Sequence, residues 1–282
     1  MIALLDVIND WGWNWVAGVL DAAVGMQQTE SIEDLLLLSG ELFTSSSDKT
    51  AFFWGTVNEI MGYVRPLGMA LIVTFFIIHM LDLATKDQMT LDGIVKTLIQ
   101  LIVVVAIMGN LDTIINSMLS IGDSLIYKVN GVQWDTTPME YDKTGDAIMD
   151  GLREEMGDSG WFAGLLEAIA LWMIHQISII AITFAALSRA IEIGWRSAFA
   201  PLGCANSFEG GMNSNGIKYL KALFAAILSG AAIYTVAVIG FSLVSQIMVS
   251  SDINARLWTG MAALLATAGA TIGIGNKVKE WQ

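Results

Sequence analysis

Five long apolar segments constrain what this chain can fold into. Each carries at most one acidic or basic residue, and a helix of about 20 apolar residues is long enough to cross the hydrocarbon layer of a bilayer. Charged residues make up only 15% of the chain, whereas they make up about a quarter of an ordinary soluble domain. The sequence therefore predicts an all-α, polytopic helical membrane protein. Its transmembrane helices are predicted at residues 66–81, 94–109, 161–187, 222–248 and 257–275.

The charge and the reactive side chains argue against several classes of protein. A net charge of −13 is unlike that of a nucleic-acid-binding surface, because such a surface needs clustered Lys and Arg. The single cysteine, Cys204, allows no intrachain disulfide, and one cysteine with two histidines gives no metal-ligand spacing. The sequence contains no nucleophile elbow, HExxH motif or phosphate-binding loop. We therefore predict no enzyme activity, no catalytic residue, no metal site and no cofactor.

Residues 1–50 are predicted to form amphipathic helices outside the membrane. Polar side chains in the first half of this region gather on one narrow stripe of a helix, and Trp11, Trp13 and Trp15 favour the membrane–water boundary. A helix lying along the interface is the first interpretation, and a helix packed inside an oligomer is the alternative. A second short helix is predicted at residues 32–43, followed by a polar linker.

A pair of membrane spans and an acidic region come next. Residues 51–109 hold the first two predicted transmembrane helices, preceded by an approach helix from which Arg65 reaches one membrane surface. Residues 110–160 carry ten acidic side chains against three basic ones. Apolar residues at spacings of three and four predict an amphipathic helix at the start of this acidic region.

The last three predicted spans lie in residues 161–282 and include a polar stretch, residues 189–221, which we call the central segment. It holds four cationic residues, one proline and a glycine-rich run, so it is predicted to be a loop outside the hydrocarbon. The positive-inside rule then places this loop and the C-terminus in the cytoplasm, with the N-terminus and the acidic region outside. The predicted location is the cytoplasmic or inner cell membrane.

Two ionisable residues lie inside the third predicted span. Glu167 and His175 are eight residues apart on one face of a helix, and intramembrane ionisable groups often serve in ion or proton pathways. Eight residues of helix span about 12 Å, which is too far for a direct hydrogen bond. They therefore indicate either a secondary transporter or ordinary polar contacts between helices.

Small residues in the last predicted span have the spacing of close helix packing. Ala262, Ala266 and Ala270 recur at every fourth position, and Gly269 and Gly273 form a GxxxG pair. The pattern fits packing within one chain and packing between subunits equally well.

The central segment also carries several short motifs in a fixed order. They are a helix end with Arg189, Glu192, Trp195 and Arg196, then Phe199-Ala200-Pro201-Leu202-Gly203, Phe208-Glu209-Gly210-Gly211, Asn215-Gly216 and Tyr219-Leu220-Lys221. With the small-residue span that follows, to about Gln246, this arrangement resembles the TrbL/VirB-six family in its Gram-positive version. Members of that family are polytopic membrane subunits of conjugative type IV secretion systems.

The resemblance implies an oligomeric subunit, arranged as a ring, that helps single-stranded DNA and its attached protein cross the membrane. The implied partners are further copies of the chain, other secretion subunits including ATPases, the bilayer, and the strand in transit. The acidic outside face is unlike an electrostatic funnel for DNA, so a scaffold role stays open beside a channel role. The residues expected to meet partners or substrate are Arg189, Glu192, Trp195, Arg196, Pro201, Phe208, Lys218 and Lys221.

Overall fold

The computed structural model describes residues 9–20, 51–86, 90–130, 144–205, 207, 214–248 and 253–277, and all regular structure within them is helical. Helix α1 includes residues 9–20. The later helices are α2 (Ala51–Thr85), α3 (Leu91–Gly109), α4 (Leu111–Asn130), α5 (Thr144–Met156), α6 (Trp161–Ala198), α7 (Ala200–Ala205), α8 (Asn215–Met248) and α9 (Ile253–Lys277). One 3₁₀ turn, Asp158–Gly160, precedes α6.

Helices α2, α3, α6, α8 and α9 are long and apolar enough to cross a membrane. Their outer faces carry large apolar side chains such as Ile102, Ile180 and Trp258, each more than half exposed, and contact with lipid accounts for such faces. The predicted fold class is therefore confirmed: the chain is a multi-pass, helical membrane protein with about five candidate spans. The short helix predicted at residues 32–43 and its linker lie outside the described residues.

Side-chain hydrogen bonds fix both ends of α3. At its start the Thr90 hydroxyl accepts a hydrogen bond from the Gly93 amide, at 3.2 Å, which satisfies one of the unpaired amides of the first turn. At its end the Asn110 side chain donates to the Ala106 carbonyl, at 2.8 Å. The chain turns at Asn110, and the predicted amphipathic helix of the acidic region follows as the separate helix α4.

The contacts within the chain divide it into two compact units. The first unit comprises residues 1–39, 128–186 and 233–274, and the second comprises residues 40–127, 187–232 and 275–282. Each unit has its own packed interior, described separately below.

Helix α1 contributes to the core of the first unit. Its inward face buries Trp13, Val16 and Leu20 among side chains of α5, α6, α8 and α9, while Trp11 and Trp15 stay 59% and 56% exposed. The Arg153 guanidinium donates to Asp10, at 2.9 Å, and so links α5 to α1. Helix α1 thus packs within its own chain through one face and presents two tryptophans on another.

In the second unit, α2 packs against α3 and against the short helix α7. The approach is close at Gly68, where an added Cβ would lie 2.7 Å from the Pro201 carbonyl oxygen and 3.1 Å from the Met108 side chain. Helix α4 buries one stripe that includes Leu111, Ile115 and Leu119. Helix α4 also approaches α8 closely at Gly122, where an added Cβ would lie 2.7 Å from the Ile227 side chain.

Candidate functional site in the central segment

Most of the central segment is helical, so the prediction of a loop over residues 189–221 was wrong in its secondary structure. Helix α6 continues to Ala198, α7 follows after one turn residue, and α8 begins at Asn215. The break between α6 and α7 has a local cause in Pro201. Proline has no amide hydrogen, so it cannot bond to the carbonyl four residues earlier, and a helix ends or bends there.

Three charged side chains near the end of α6 form one ion-pair cluster. The Glu192 carboxylate accepts a hydrogen bond from Arg189 and forms an ion pair with Arg196, at 2.9 Å. The spacings of three and four residues bring these side chains together on one helical face. All three side chains are no more than 20% exposed. Two of the four expected cations are therefore neutralised in part within the protein.

Contacts made by Tyr219 of α8 hold the end of α6 and the helix α7 in place. The Tyr219 hydroxyl donates to the Arg196 carbonyl, at 2.6 Å, and this satisfies one of the carbonyls that a helix end leaves unpaired. The Tyr219 ring lies against Gly203, where an added Cβ would approach it to 2.6 Å. The Ser214 hydroxyl caps α8 by accepting from the Ile217 amide, at 3.3 Å. Glycine at position 203 is what allows α7 and α8 to approach.

The only cysteine lies inside this packed region. Cys204 on α7 is 1% exposed, and burial raises the pKa of its thiol to about 12. Because the thiolate is the reactive form, a buried thiol with a raised pKa reacts slowly. The thiol is therefore expected to react slowly, and its rate of labelling can report on the integrity of α7.

The described part of the central segment exposes an apolar face and two lysines. Ile191, Trp195 and Phe199 are 63%, 50% and 44% exposed and are spaced four residues apart, and the Arg196 guanidinium lies 5.5 Å from the Trp195 ring centroid. Lys218 and Lys221 on α8 are also exposed. Phe208 lies outside the described residues. Within the described residues, these five side chains are among those that another molecule can reach.

The packing of α2 on α7 disagrees with the predicted topology. That topology places Gly68 near the outside end of the first span and Pro201 in the cytoplasm, so the two would be separated by a membrane of about 30 Å. In the structure they are in contact. Phe53, near the start of α2, likewise faces Gly194 near the end of α6. No local sequence pattern indicates these contacts, because they join residues more than a hundred positions apart.

The structure does not pair Glu167 with His175. His175 is 1% exposed, and within the described residues neither of its ring nitrogens has a hydrogen-bond partner. The same holds for Glu167 Oε2 and for the hydroxyl of Ser178, a residue that sequence reasoning missed. An unpaired buried polar group costs about 1–3 kcal/mol, so this stripe of α6 is a second candidate region.

The small-residue stripe of α9 faces away from the core of the first unit. Ala262, Ala266, Gly269 and Ala270 are exposed, and a Cβ added at Gly269 or Gly273 would meet no atom within 4 Å. The inward face of α9 uses other residues, of which Thr267 packs against Gly240 of α8. Within the described residues, the stripe is therefore open to lipid or to another molecule.

Among the described residues, no group of three His, Cys, Asp or Glu side chains could hold a metal ion. Comparison with known proteins identifies no relative: no family model, no curated protein and no solved structure matches the chain.

Proposed function

We propose that this chain is a membrane channel or scaffold subunit of a conjugative type IV secretion system, which helps single-stranded DNA and its attached protein cross the cytoplasmic membrane. The proposal rests on the central segment. Its residues resemble the TrbL/VirB-six family, and its described part exposes aromatic side chains on a fixed backbone. Its backbone is held by the Tyr219 bond to Arg196, while Trp195 and Phe199 remain exposed. A rigid support beneath exposed aromatic rings suits a docking surface for partner proteins.

The four cationic residues of the central segment are expected to have two different roles. Arg189 and Arg196 pair with Glu192, so they serve mainly to shape the end of α6. The exposed Lys218 and Lys221 are the better candidates for contact with an acidic partner or with DNA phosphates. The proposal therefore assigns docking to Trp195 and Phe199, and electrostatic attraction to the two lysines.

Replacing Trp195 with alanine tests this function. If Trp195 anchors a partner ATPase, conjugative transfer should fall by about 30-fold or more, because an interface anchor contributes about 2 kcal/mol or more. Transfer frequency between donor and recipient cells is the measurement, together with co-purification of the ATPases. The matched control is Trp258→Ala, which removes a 61% exposed tryptophan from α9. Transfer at the wild-type frequency, with the variant correctly inserted, would contradict the proposal.

A membrane anchor is the competing role for Trp195. The exposed apolar face of α6 continues from Phe184 through Ile191 to Trp195, and tryptophan at the end of such a face often lies among lipid headgroups. An anchoring role predicts that Trp195→Ala lowers the amount of inserted protein and leaves the transfer frequency per inserted molecule unchanged.

The buried stripe of α6 favours a second function, that of a secondary transporter. His175 and Ser178 are buried without hydrogen-bond partners among the described residues, as groups on an ion path would be before the ion binds. Under that function, His175→Ala would abolish proton-coupled uptake in vesicles. Under the secretion function, His175→Ala would leave DNA transfer within a few-fold of wild type.

For orientation, the charge distribution supports a cytoplasmic central segment and C-terminus with the N-terminus outside. A cysteine at Asn213 should then react with an impermeant reagent only after lysis, and one at Thr137 should react in intact cells. Lys86→Cys, between α2 and α3, is expected to behave like the Asn213 variant. All variants carry Cys204→Ala. Reaction at position 86 in intact cells would contradict the five-span order and would agree with the contact of Gly68 with Pro201.

A further inference from the structure

A small cleft with polar and charged residues in its lining lies in the second unit between α2 and α4. It has a volume of about 270 Å³ and opens to the protein surface. Two turns of α2 and the first turns of α4 supply its walls. The residues that line it are Asn58, Met61, Gly62, Arg65, Asp112 and Asn116.

The charged pair in this cleft has capacity for a further ligand. Arg65 Nη2 lies 2.5 Å from Asp112 Oδ2, and within the described residues the buried Arg65 Nε has no hydrogen-bond partner. An arginine carries five N–H donors and a carboxylate accepts several hydrogen bonds. The two side chains are still 32% and 46% exposed. The exposed parts of this ion pair and the side chains of Asn58 and Asn116 therefore line one small volume, whereas Nε itself is buried.

The position of the cleft along α2 points to the membrane boundary. Arg65 is the last charged residue before the uncharged run of residues 66–81, and the exposed apolar side chains of Leu67 and Leu71 follow directly after it. On the other wall, Asp112 follows the apolar helix α3. A molecule in the cleft thus has polar groups around one end and an exposed apolar surface beside the other.

We propose that the cleft binds the zwitterionic headgroup of a phospholipid of the phosphatidylethanolamine type. The lipid phosphate accepts hydrogen bonds from the exposed N–H groups of Arg65 and from the asparagine amides, and the ammonium group donates to Asp112. The acyl chains lie on the exposed apolar faces of α2 and α3. A choline headgroup has no N–H to donate to Asp112, and an anionic glycerol headgroup places no cation beside it. The site should therefore prefer ethanolamine over both.

Lipid retention by the full chain tests this site. The protein is reconstituted in nanodiscs with equal amounts of phosphatidylethanolamine, phosphatidylcholine and phosphatidylglycerol, and the retained lipids are counted by native mass spectrometry. Wild type is expected to retain ethanolamine lipid about tenfold over the other two, since charge-assisted hydrogen bonds distinguish the headgroups. The double variant Asn58→Leu with Asn116→Leu should lose this preference, although it keeps the Arg65–Asp112 pair.

The matched control is Ser117→Leu, which adds a leucine to an exposed position of α4 beside the cleft and should leave the preference unchanged. Helical content by circular dichroism confirms that each variant is folded. Equal retention of the three lipids by wild type, or an unchanged preference in the double variant, would overturn the proposal. The last experiment adds soluble phosphoethanolamine as a competitor of the bound lipid. If it displaces the lipid at micromolar concentration, the ligand is a soluble zwitterion and the lipid assignment is wrong.

Discussion

Replacing Gly68 with leucine should detach α7 from α2 and destabilise the second unit by about 3 kcal/mol, at the upper end of the usual cost of overpacking. The cost is high because the nearest atom belongs to the backbone and not to a flexible side chain. A Cβ at position 68 would lie 2.7 Å from the Pro201 carbonyl oxygen, and the turn that Pro201 imposes leaves this carbonyl little freedom to move. On the other side the Met108 side chain, at 3.1 Å, blocks a sideways shift of α2.

Cys204 provides the measurement for this prediction. In wild type its thiol is buried and its pKa is raised to about 12, so a maleimide should label it slowly at neutral pH. Displacement of α7 exposes the thiol and returns its pKa towards the ordinary value near 8.5, which raises the thiolate fraction and the labelling rate. The control is Gly55→Leu on the same helix, because a Cβ there would meet no atom within 4 Å. Slow labelling of Cys204 and an unchanged melting temperature in Gly68→Leu would show that α2 and α7 do not approach at this point.

The spans could be predicted because each depends on local composition alone. Long apolar runs must be helical in a bilayer, where every backbone amide needs a partner within its own segment. The end of α6 was harder to place, since the helix continues past the apolar run to Ala198. A signal for this was present in the spacing of Arg189, Glu192 and Arg196, which suits ion pairs along a helix. The sequence motifs placed these residues on a helix end, whereas their polar character assigned them to a loop outside the hydrocarbon.

The contacts that build the site could not be predicted from one sequence. The Arg65–Asp112 pair joins residues 47 positions apart, and the Tyr219 bond to Arg196 crosses from α8 to α6. Both depend on how helices pack, which hydrophobic periodicity does not specify. The sequence motifs include Gly203 and Gly216, but the sequence offers no physical reason for a glycine at either position. The structure adds the reason at Gly203, which is the close approach of the Tyr219 ring.

Gly269→Leu is expected to convert the assembled protein into single chains while leaving each chain folded. Among the described residues, a Cβ added at Gly269 or Gly273 would meet no atom within 4 Å, which favours packing between subunits over packing within one chain. An open surface of small residues on a transmembrane helix permits close backbone contact with a second helix. If that helix belongs to another copy, a leucine at position 269 holds the two backbones apart and removes the van der Waals contacts that drive association in lipid.

Gly240→Leu serves as the contrasting variant for this test. Gly240 lies directly against Thr267 within the first unit, so a leucine there should lower the melting temperature through overpacking, at a cost of about 1–3 kcal/mol. Gly269→Leu should keep the wild-type melting temperature of the separate chain and change only the mass of the detergent-solubilised particle, measured by light scattering. Wild type is expected well above the mass of one chain, 30.5 kDa. An unchanged large particle in both Gly269→Leu and Gly273→Leu would mean that the stripe faces lipid and that subunits associate through a different surface.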